Sequence, residues 1–313
     1  MWSLRPCGGP IVELVDLRVR SKTPEAEIAK KVGKILTPSD YNVLLTGPSR
    51  VMMPNGQPLL VYLPGILAGV NHQSAYPILH TIQGRNNNRR YASGSETYRV
   101  GNYNRRLNVK SSVIGYVDAI ESRKYCRTTA WSGQNTQEFE ALFPIFSDID
   151  RLFEDFVPSR YAAQQVRAQA TNPDWLVGNT VFTTMTVNNT YPTGVHTDSG
   201  DLVEGFSCLA TWRRGGYTGG CLTFPEWRVA VDMQDGDLLL MDAHQWHGNT
   251  GLDLQTPDAE RISLVLYYRA GMFECGNRAE EAGREVAAKK RSIGEQGFEY
   301  AVWGGISRET RAS

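Results

Sequence analysis

The chain has no surplus of charge of either sign and no long apolar run. Its 313 residues contain 33 Lys plus Arg and 33 Asp plus Glu, so no overall field attracts the molecule to a polyanion or an anionic membrane. Any nucleic-acid site must therefore be a local basic patch. The most apolar window, residues 59–70, is far shorter than a bilayer-spanning helix and contains Pro64, Gly65 and Gly69. It predicts a buried segment with no membrane role.

The chain also lacks a regular cysteine pattern, and no leader segment is expected. The cysteines are odd in number, widely scattered and without a CxxC pair, namely Cys7, Cys126, Cys208, Cys221 and Cys275. This spacing does not match the disulfide framework of small secreted proteins, so a reducing intracellular compartment is expected. The N-terminus has no basic region followed by an apolar run and a cleavage site. We expect the protein to remain in the cytoplasm in which it is made.

Hydrophobic periodicity predicts several helices. One is expected near residues 24–36, within an N-terminal part that otherwise reads as short strands. Between residues 136 and 156 apolar residues recur at helical spacing, and Asn135 with Glu138 matches an N-terminal capping pair. Residues 158–170 predict another helix with proline in its first turn. The chain has no repeat of fixed period, which favours one integrated domain.

After residue 178 the sequence changes to short β-rich runs separated by turn residues: TVFTTMTV, FSCLATW, CLTF, WRVAVDM, DLLLMD and ISLVLYYR. Such spacing predicts two facing antiparallel sheets. The expected fold is mostly β with flanking helices (α+β), built on a double-stranded β-helix core of the jelly-roll or cupin type. We divide the chain into an N-terminal elaboration at 1–110, the core at 111–275 with supporting helices at 136–170, and a C-terminal helix and tail at 276–313.

Residues 85–110 form the one basic patch of the sequence. Six arginines and Lys110 stand against the single acid Glu96, interleaved with Tyr91, Tyr98 and Tyr103. Basic residues alternating with aromatic ones are typical of surfaces that bind phosphates and stack bases. A solvated loop is the alternative interpretation, because charged runs usually only solvate a face.

A metal site is predicted from three residues in the β-rich half. His196 and Asp198 are two apart after an apolar strand, and residues at that spacing point to one side of a strand. His244 and His247 follow a second apolar strand, and we choose His247 as the third ligand and give His244 a supporting or surface role. Two imidazoles and one carboxylate with open positions hold ferrous iron in oxygen-activating enzymes.

Arg261 begins the strand RISLVLYYR, fourteen residues after His247. Its planar guanidinium could bind the distal carboxylate of a 2-oxo acid through two charge-assisted hydrogen bonds. The residues thus predict iron(II), with 2-oxoglutarate and O2 as co-substrates.

Several motifs resemble the TET/JBP family of iron(II)- and 2-oxoglutarate-dependent nucleic-acid oxygenases, especially its compact bacteriophage members. They are SSVIGYVDA (111–119), CRTTAW (126–131), FPIFSDIDRLFEDFVPSRYAAQQVRA, FTTMTVNNTYPTGVHTDSGDL (182–202), GGCLTFPEWRVAVDMQDGDLLLMDAHQWHGNT (219–250) and RISLVLYYR. The resemblance implies His196, Asp198 and His247 as metal ligands and Arg261 as the 2-oxoglutarate anchor. It adds Arg127 and Asn188 as positions that line the ligand pocket; a salt-bridged surface arginine and a turn-forming asparagine are the alternatives.

The resemblance also implies a substrate. Family members oxidise the 5-methyl group of a pyrimidine in DNA, here 5-methylcytosine to 5-hydroxymethylcytosine, with further oxidation open. The base must then be flipped out of the duplex into the pocket. The basic patch would touch this DNA, which makes Arg89, Arg90, Arg105 and Arg106 candidate DNA-binding residues. No membrane and no obligate protein partner is indicated.

The residues alone do not exclude other functions. The same chemistry could act on thymine in DNA, on a small molecule or on a protein, since fold and metal ligands do not select a substrate. A non-catalytic nucleic-acid-binding module is another alternative. The intact metal and co-substrate residues oppose it, because such a module does not require them. A zinc hydrolase with the same three ligands is a weaker alternative, because its reaction would not explain the presence of Arg261.

Overall fold

The computed structural model of the chain describes residues 3–4, 12–19, 22–82, 97–100, 103–106 and 110–290, with only the backbone described at 3–4, 12–13, 97–100 and 103–106. The strands are Ser3–Leu4 (β1), Val12–Glu13 (β2), Val15–Arg18 (β3), Val43–Leu45 (β4), Ser49–Met52 (β5), Pro58–Leu63 (β6), Thr97–Val100 (β7), Tyr103–Arg106 (β8), Ser111–Val117 (β9), Arg127–Thr128 (β10), Thr184–Asn189 (β11), Ser207–Arg214 (β12), Tyr217–Gly219 (β13), Leu222–Phe224 (β14), Val229–Val231 (β15), Leu238–Met241 (β16), Gly248–Asn249 (β17), Leu252–Leu254 (β18) and Glu260–Tyr267 (β19).

The α-helices are Glu25–Ala29 (α1), Val70–Thr81 (α2), Ala130–Gln134 (α3), Thr136–Ala141 (α4), Phe143–Phe156 (α5), Pro158–Ala170 (α6) and residues 278–290 (α7). Short 3-10 helices lie at Pro38–Asp40, Pro173–Trp175 and Ala270–Glu274. None of the helices in these ranges is long and apolar enough to span a membrane.

Two sheets form the core. The major sheet has nine strands in the order β10-β9-β11-β19-β12-β16-β6-β5-β3, antiparallel except for the pair β3 and β5. The minor sheet has the order β17-β14-β15-β4, and its β4 runs parallel to β15. Strands from the first 63 residues thus extend the same sheets as the β-rich half of the chain. The predicted mostly-β fold with a jelly-roll core and flanking helices is confirmed.

The residue alternation along the central strands separates two environments. On β11, Thr186 and Asn188 face a cavity between the sheets, whereas Met185 and Val187 join a hydrophobic cluster under the helices. This follows from the period of two in a strand. Helix α5 contributes Phe153 and other aromatic residues to that cluster. The helices therefore cover the face of the major sheet that lies opposite the cavity.

The helix predictions are partly confirmed. Helix α6 has the predicted bounds, but the predicted helix at 136–156 is divided at Leu142 into α4 and α5. Pro144 has no amide hydrogen to donate, so it suits the first turn of a new helix better than the interior of a long one. The predicted capping pair is wrong, because the Asn135 amide donates to the carbonyl of Trp131 instead.

The N-terminal helix is shorter than predicted, and another helix was not expected. α1 ends at Ala29, because residues 32–36 leave the helix and pair with other segments, Val32 with Val195 and Leu36 with Thr250. α2 contains Pro77, which sequence rules place outside helices. The apolar window at 59–70 is buried where it forms β6, as predicted.

Among the described residues, two distant cysteines form a disulfide. Cys126 and Cys275 are bonded, with their Cα atoms 5.8 Å apart, while Cys208 and Cys221 are free and buried. The pair is not among the sequence-based expectations, because its cysteines are separated by 149 residues. The bond joins the start of β10 to the segment that follows β19.

Candidate metal and co-substrate site

Three side chains, which we call the metal-type cluster, meet at one end of the cavity between the sheets. Ligand atoms of His196, Asp198 and His247 lie within 4.8 Å of one another. The backbone brings them together, because the amides of His196 and His247 each donate to the other's carbonyl, at 2.9 and 3.0 Å. The Asp198 amide donates to the carbonyl of Ala243 at 2.9 Å. Two distant segments are thus held side by side by ordinary antiparallel hydrogen bonds.

The two imidazoles are oriented by backbone carbonyls. Nδ1 of His196 lies 2.8 Å from the carbonyl oxygen of Gly194, and Nδ1 of His247 lies 2.9 Å from that of Gln245. A carbonyl only accepts, so each Nδ1 carries the hydrogen and each Nε2 keeps a lone pair. The Nε2 atoms lie 3.5 and 3.6 Å from the two carboxylate oxygens of Asp198. These separations are long for hydrogen bonds and suit ligands around a shared cation.

The electrostatics favour neutral imidazole at His247. This residue is 3% exposed, and burial, followed by the neighbouring His196, lowers its pKa to about 4. A neutral imidazole is the form that binds metal. Two histidines and one carboxylate are the donor set of non-haem iron(II) oxygenases, so the residues present fit iron(II).

His244 lies outside this cluster. Its Nδ1 is 3.6 Å from a carboxylate oxygen of Asp242, and this neighbouring carboxylate raises the pKa of His244. The geometry therefore brings His247, and not His244, to Asp198.

The cavity has a volume of about 210 Å³ and extends from the metal-type cluster to Arg261. Arg261 is 4% exposed, and burial lowers the pKa of its guanidinium. Among the residues that the structure describes, neither Nη2 of Arg261 nor the buried Oδ1 of Asn188 has a hydrogen-bond partner. Buried polar groups are normally paired. An unpaired guanidinium nitrogen in a closed pocket fits a carboxylate ligand, as 2-oxoglutarate would supply.

Part of the wall between these ends is apolar. Leu209, Leu222, Met241 and Val265 line the cavity between the two sheets. Apolar walls exclude water and strengthen the electrostatic interactions of charged groups inside.

The other predicted site residues do not all line the cavity. Asn188 lines the cavity as predicted, but Arg127 is not among its lining residues. Arg127 lies half-buried on β10, with Nη1 3.5 Å from the backbone oxygen of Asp118. Arg89 and Arg90 lie outside the described residues, and for Arg105 and Arg106 only the backbone of β8 is described.

Sequence reasoning missed further cavity residues. Ser263 and Tyr267 face the cavity from β19, and Arg269 follows just after that strand. The signal was present, because these residues are at even spacings from Arg261 and a strand repeats every two residues. The alternation along RISLVLYYR could therefore have identified them.

Comparisons with known proteins agree on one family. The family model Tet_JBP, described as the oxygenase domain of the 2OGFeDO superfamily, matches residues 112–270. A thymine dioxygenase JBP1 of Crithidia fasciculata is 33% identical over 187 residues, covering 58% of this chain and 22% of the relative. The thymine dioxygenase JBP1 of Trypanosoma brucei brucei (strain 927/4 GUTat10.1) is 28% identical over 268 residues, covering 83% of this chain and 30% of the relative. The chain thus spans between about a fifth and about a third of these curated relatives.

A solved structure shares the fold. The structure of NgTET1 in complex with 5mC DNA superposes with a TM-score of 0.55 at 17% sequence identity. The match covers 80% of this chain and 92% of that one. At this identity the likeness concerns the fold, which agrees with the jelly-roll core described above.

Proposed function

The chain belongs to the TET/JBP family of oxygenases in the 2OGFeDO superfamily, and on this premise we propose that it hydroxylates the 5-methyl group of 5-methylcytosine in DNA. The family makes it an iron(II)- and 2-oxoglutarate-dependent dioxygenase with O2 as a further co-substrate. The proposed product is 5-hydroxymethylcytosine, which the same chemistry can oxidise further. One observation carries the proposal: the metal-type cluster and the buried Arg261 share one cavity.

The proposal assigns a role to each end of the cavity. His196, Asp198 and His247 hold the iron, and Arg261 holds the 5-carboxylate of 2-oxoglutarate, with Asn188 as a polar neighbour. Bound together, iron and 2-oxoglutarate supply the oxidising power that places one oxygen atom of O2 into a C–H bond, while the co-substrate leaves as succinate and carbon dioxide.

The protein's own contribution is orientation and exclusion of water. Fixed carbonyls at Gly194 and Gln245 keep both Nε2 lone pairs aimed at one point, so little reorganisation is needed when a cation binds. The guanidinium of Arg261 is already desolvated, so a carboxylate that reaches it replaces no bulk water around the cation.

DNA is proposed as the partner, with the target nucleotide extruded. A methyl carbon inside a stacked duplex cannot reach a cavity between two sheets, so the base must leave the stack. The basic patch at 85–110, with Arg89, Arg90, Arg105 and Arg106, remains the proposed contact to the DNA backbone.

Thymine in DNA is the second candidate substrate. The JBP1 relatives are named thymine dioxygenases, whereas the structural neighbour NgTET1 was solved with 5mC DNA. We favour 5-methylcytosine because the motifs quoted above resemble the compact phage members of the family, which act on that base.

The test is nucleoside mass spectrometry after incubation with iron(II), 2-oxoglutarate and O2. Cytosine-methylated and unmethylated duplexes of one sequence are compared, with a His196→Ala control. The proposal expects 5-hydroxymethylcytosine from methylated DNA and wild-type protein only. Formation of 5-hydroxymethyluracil in both duplexes would establish thymine instead. Iron-dependent succinate without any changed base would refute DNA as the substrate and leave the oxygenase chemistry intact.

A further inference from the structure

The two ends of the cavity differ in their access to solvent. Arg261 is buried at one end, whereas Arg269 lines the cavity and keeps 27% of its side-chain surface exposed. The guanidinium of Arg269 lies over Gly200. Its Nη1 is 3.5 Å from the point that a Cβ atom would occupy if Gly200 carried a side chain. Gly200 and its exposed neighbour Ser199 also line the cavity. A substrate that enters from solvent therefore passes the Arg269 end.

Residues 118–127, which are the connection between β9 and β10 together with the first residue of β10, adjoin this open end; we call them the arginine turn. Its first residue, Asp118, accepts a hydrogen bond from Nε of Arg269 at 2.6 Å. Its last residue, Arg127, directs Nη1 toward the backbone oxygen of Asp118 at 3.5 Å. Between them, Ile120 and Arg123 exchange two backbone hydrogen bonds of 2.9 Å, which folds the connection into a tight turn.

The arginine turn carries cations that form no close ion pair within the described parts of the chain. Asp118 is engaged by Arg269, and within the described parts of the chain neither Arg123 nor Arg127 forms a salt bridge. Arg123 and Lys124 are exposed. Burial and the nearby charge of Arg123 lower the pKa of Arg127, although Tyr125 and Asp118 act in the opposite direction. Guanidinium groups that repel one another at a pocket entrance are stabilised by an anion that bridges them.

The turn is held in place before any ligand arrives. Cys126 is bonded to Cys275, and its amide donates to the buried carboxylate of Glu281 at 2.8 Å. Arg127 and the next residue also pair with β9. Groups fixed in this way lose little conformational entropy on binding.

We infer that the arginine turn binds the phosphodiester backbone of DNA beside the nucleotide whose base enters the cavity. The inference rests on the proposed function. A flipped nucleotide leaves its phosphates at the pocket entrance, and the guanidinium fork matches phosphate oxygens in two parallel hydrogen bonds. Since the whole chain has no net charge, affinity for DNA must come from local clusters of this kind. Its residues are not those of the basic patch at 85–110.

The test measures DNA affinity by fluorescence anisotropy over a series of salt concentrations, with a labelled duplex containing 5-methylcytosine. Arg123→Ala and Arg127→Ala are compared with wild type, and each is expected to weaken binding several-fold. The slope of log K against log salt should fall by about 0.9 for each phosphate that the variant no longer neutralises. Arg127→Lys should retain the salt dependence of binding but lose part of the affinity. Lysine keeps the positive charge but cannot form the two parallel hydrogen bonds of a guanidinium.

The matched control is Arg151→Ala, an exposed arginine on α5, which covers the opposite face of the major sheet. It should bind DNA as wild type does. Thermal melting of every variant checks that it is folded. The inference is overturned if wild type oxidises the duplex while Arg123→Ala and Arg127→Ala keep its affinity and slope. If wild type shows no salt-dependent DNA binding at all, the proposed function falls together with the inference.

Discussion

The substitution Arg261→Met should weaken the binding of 2-oxoglutarate without destabilising the fold. A hydrogen bond between a charged group and its partner contributes about 1.5–3 kcal/mol, and a guanidinium can make two with one carboxylate. At 1.4 kcal/mol per tenfold, losing both raises the Kd for 2-oxoglutarate by a factor on the order of 10² to 10⁴. The substitution also removes the unpaired buried Nη2. An unpaired buried donor costs about 1–3 kcal/mol, so the thermal stability of the ligand-free variant should be unchanged or higher.

The assay is anaerobic calorimetric titration of 2-oxoglutarate into the iron-loaded protein, paired with thermal melting without co-substrate. Arg261→Lys should fall between wild type and Arg261→Met, because it retains the charge but not the fork. Arg213→Met is the control, since Arg213 lies directly opposite in the register of β12 and β19 but does not line the cavity. Binding by Arg261→Met within about threefold of wild type, well under 1 kcal/mol, would refute the assignment of this arginine.

Three further predictions use the same structure. His247→Ala should abolish iron binding in metal analysis, whereas His244→Ala should retain iron and lose at most about 10–100-fold in activity; equal loss of iron from both would contradict the ligand set. Ser263→Ala should raise the KM for 2-oxoglutarate about fivefold with kcat nearly unchanged, because it faces the cavity beside the anchor; a fall in kcat alone would contradict this role. In urea unfolding, Phe153→Ala should cost about 3–5 kcal/mol, while Val166→Ala, 65% exposed, should stay within about 0.5 kcal/mol; similar losses would contradict the described core.

Much of the β-rich half could be predicted because its signals are local. Short alternating runs bounded by turn residues correspond to β11, β12, β14, β15, β16 and β19. Helix α6 begins at a proline and ends before Thr171, so local sequence signals are sufficient to predict its bounds. The spacing of His196 and Asp198 likewise needs only the geometry of an extended chain.

What could not be predicted depends on contacts between distant segments. The disulfide at Cys126 forms because the major sheet places β10 near the segment after β19, which no local pattern indicates. Helix α2 tolerates Pro77 because packing of its buried face outweighs a local rule. The pairing of Arg269 with Asp118 joins residues 151 positions apart. Sequence reasoning could name the metal-type residues, but not the side chains around the cavity entrance.

The most direct test of the central claim is a reaction under ¹⁸O₂ with a duplex containing 5-methylcytosine, followed by mass spectrometry of the nucleosides and of succinate. An oxygenase that uses this cavity should place one ¹⁸O atom in each new hydroxymethyl group and one in each succinate, with one succinate formed for each oxidation of the base. Hydroxymethylcytosine whose oxygen comes from water in the first moments of reaction, or succinate that forms at the same rate without methylated DNA, would contradict the account.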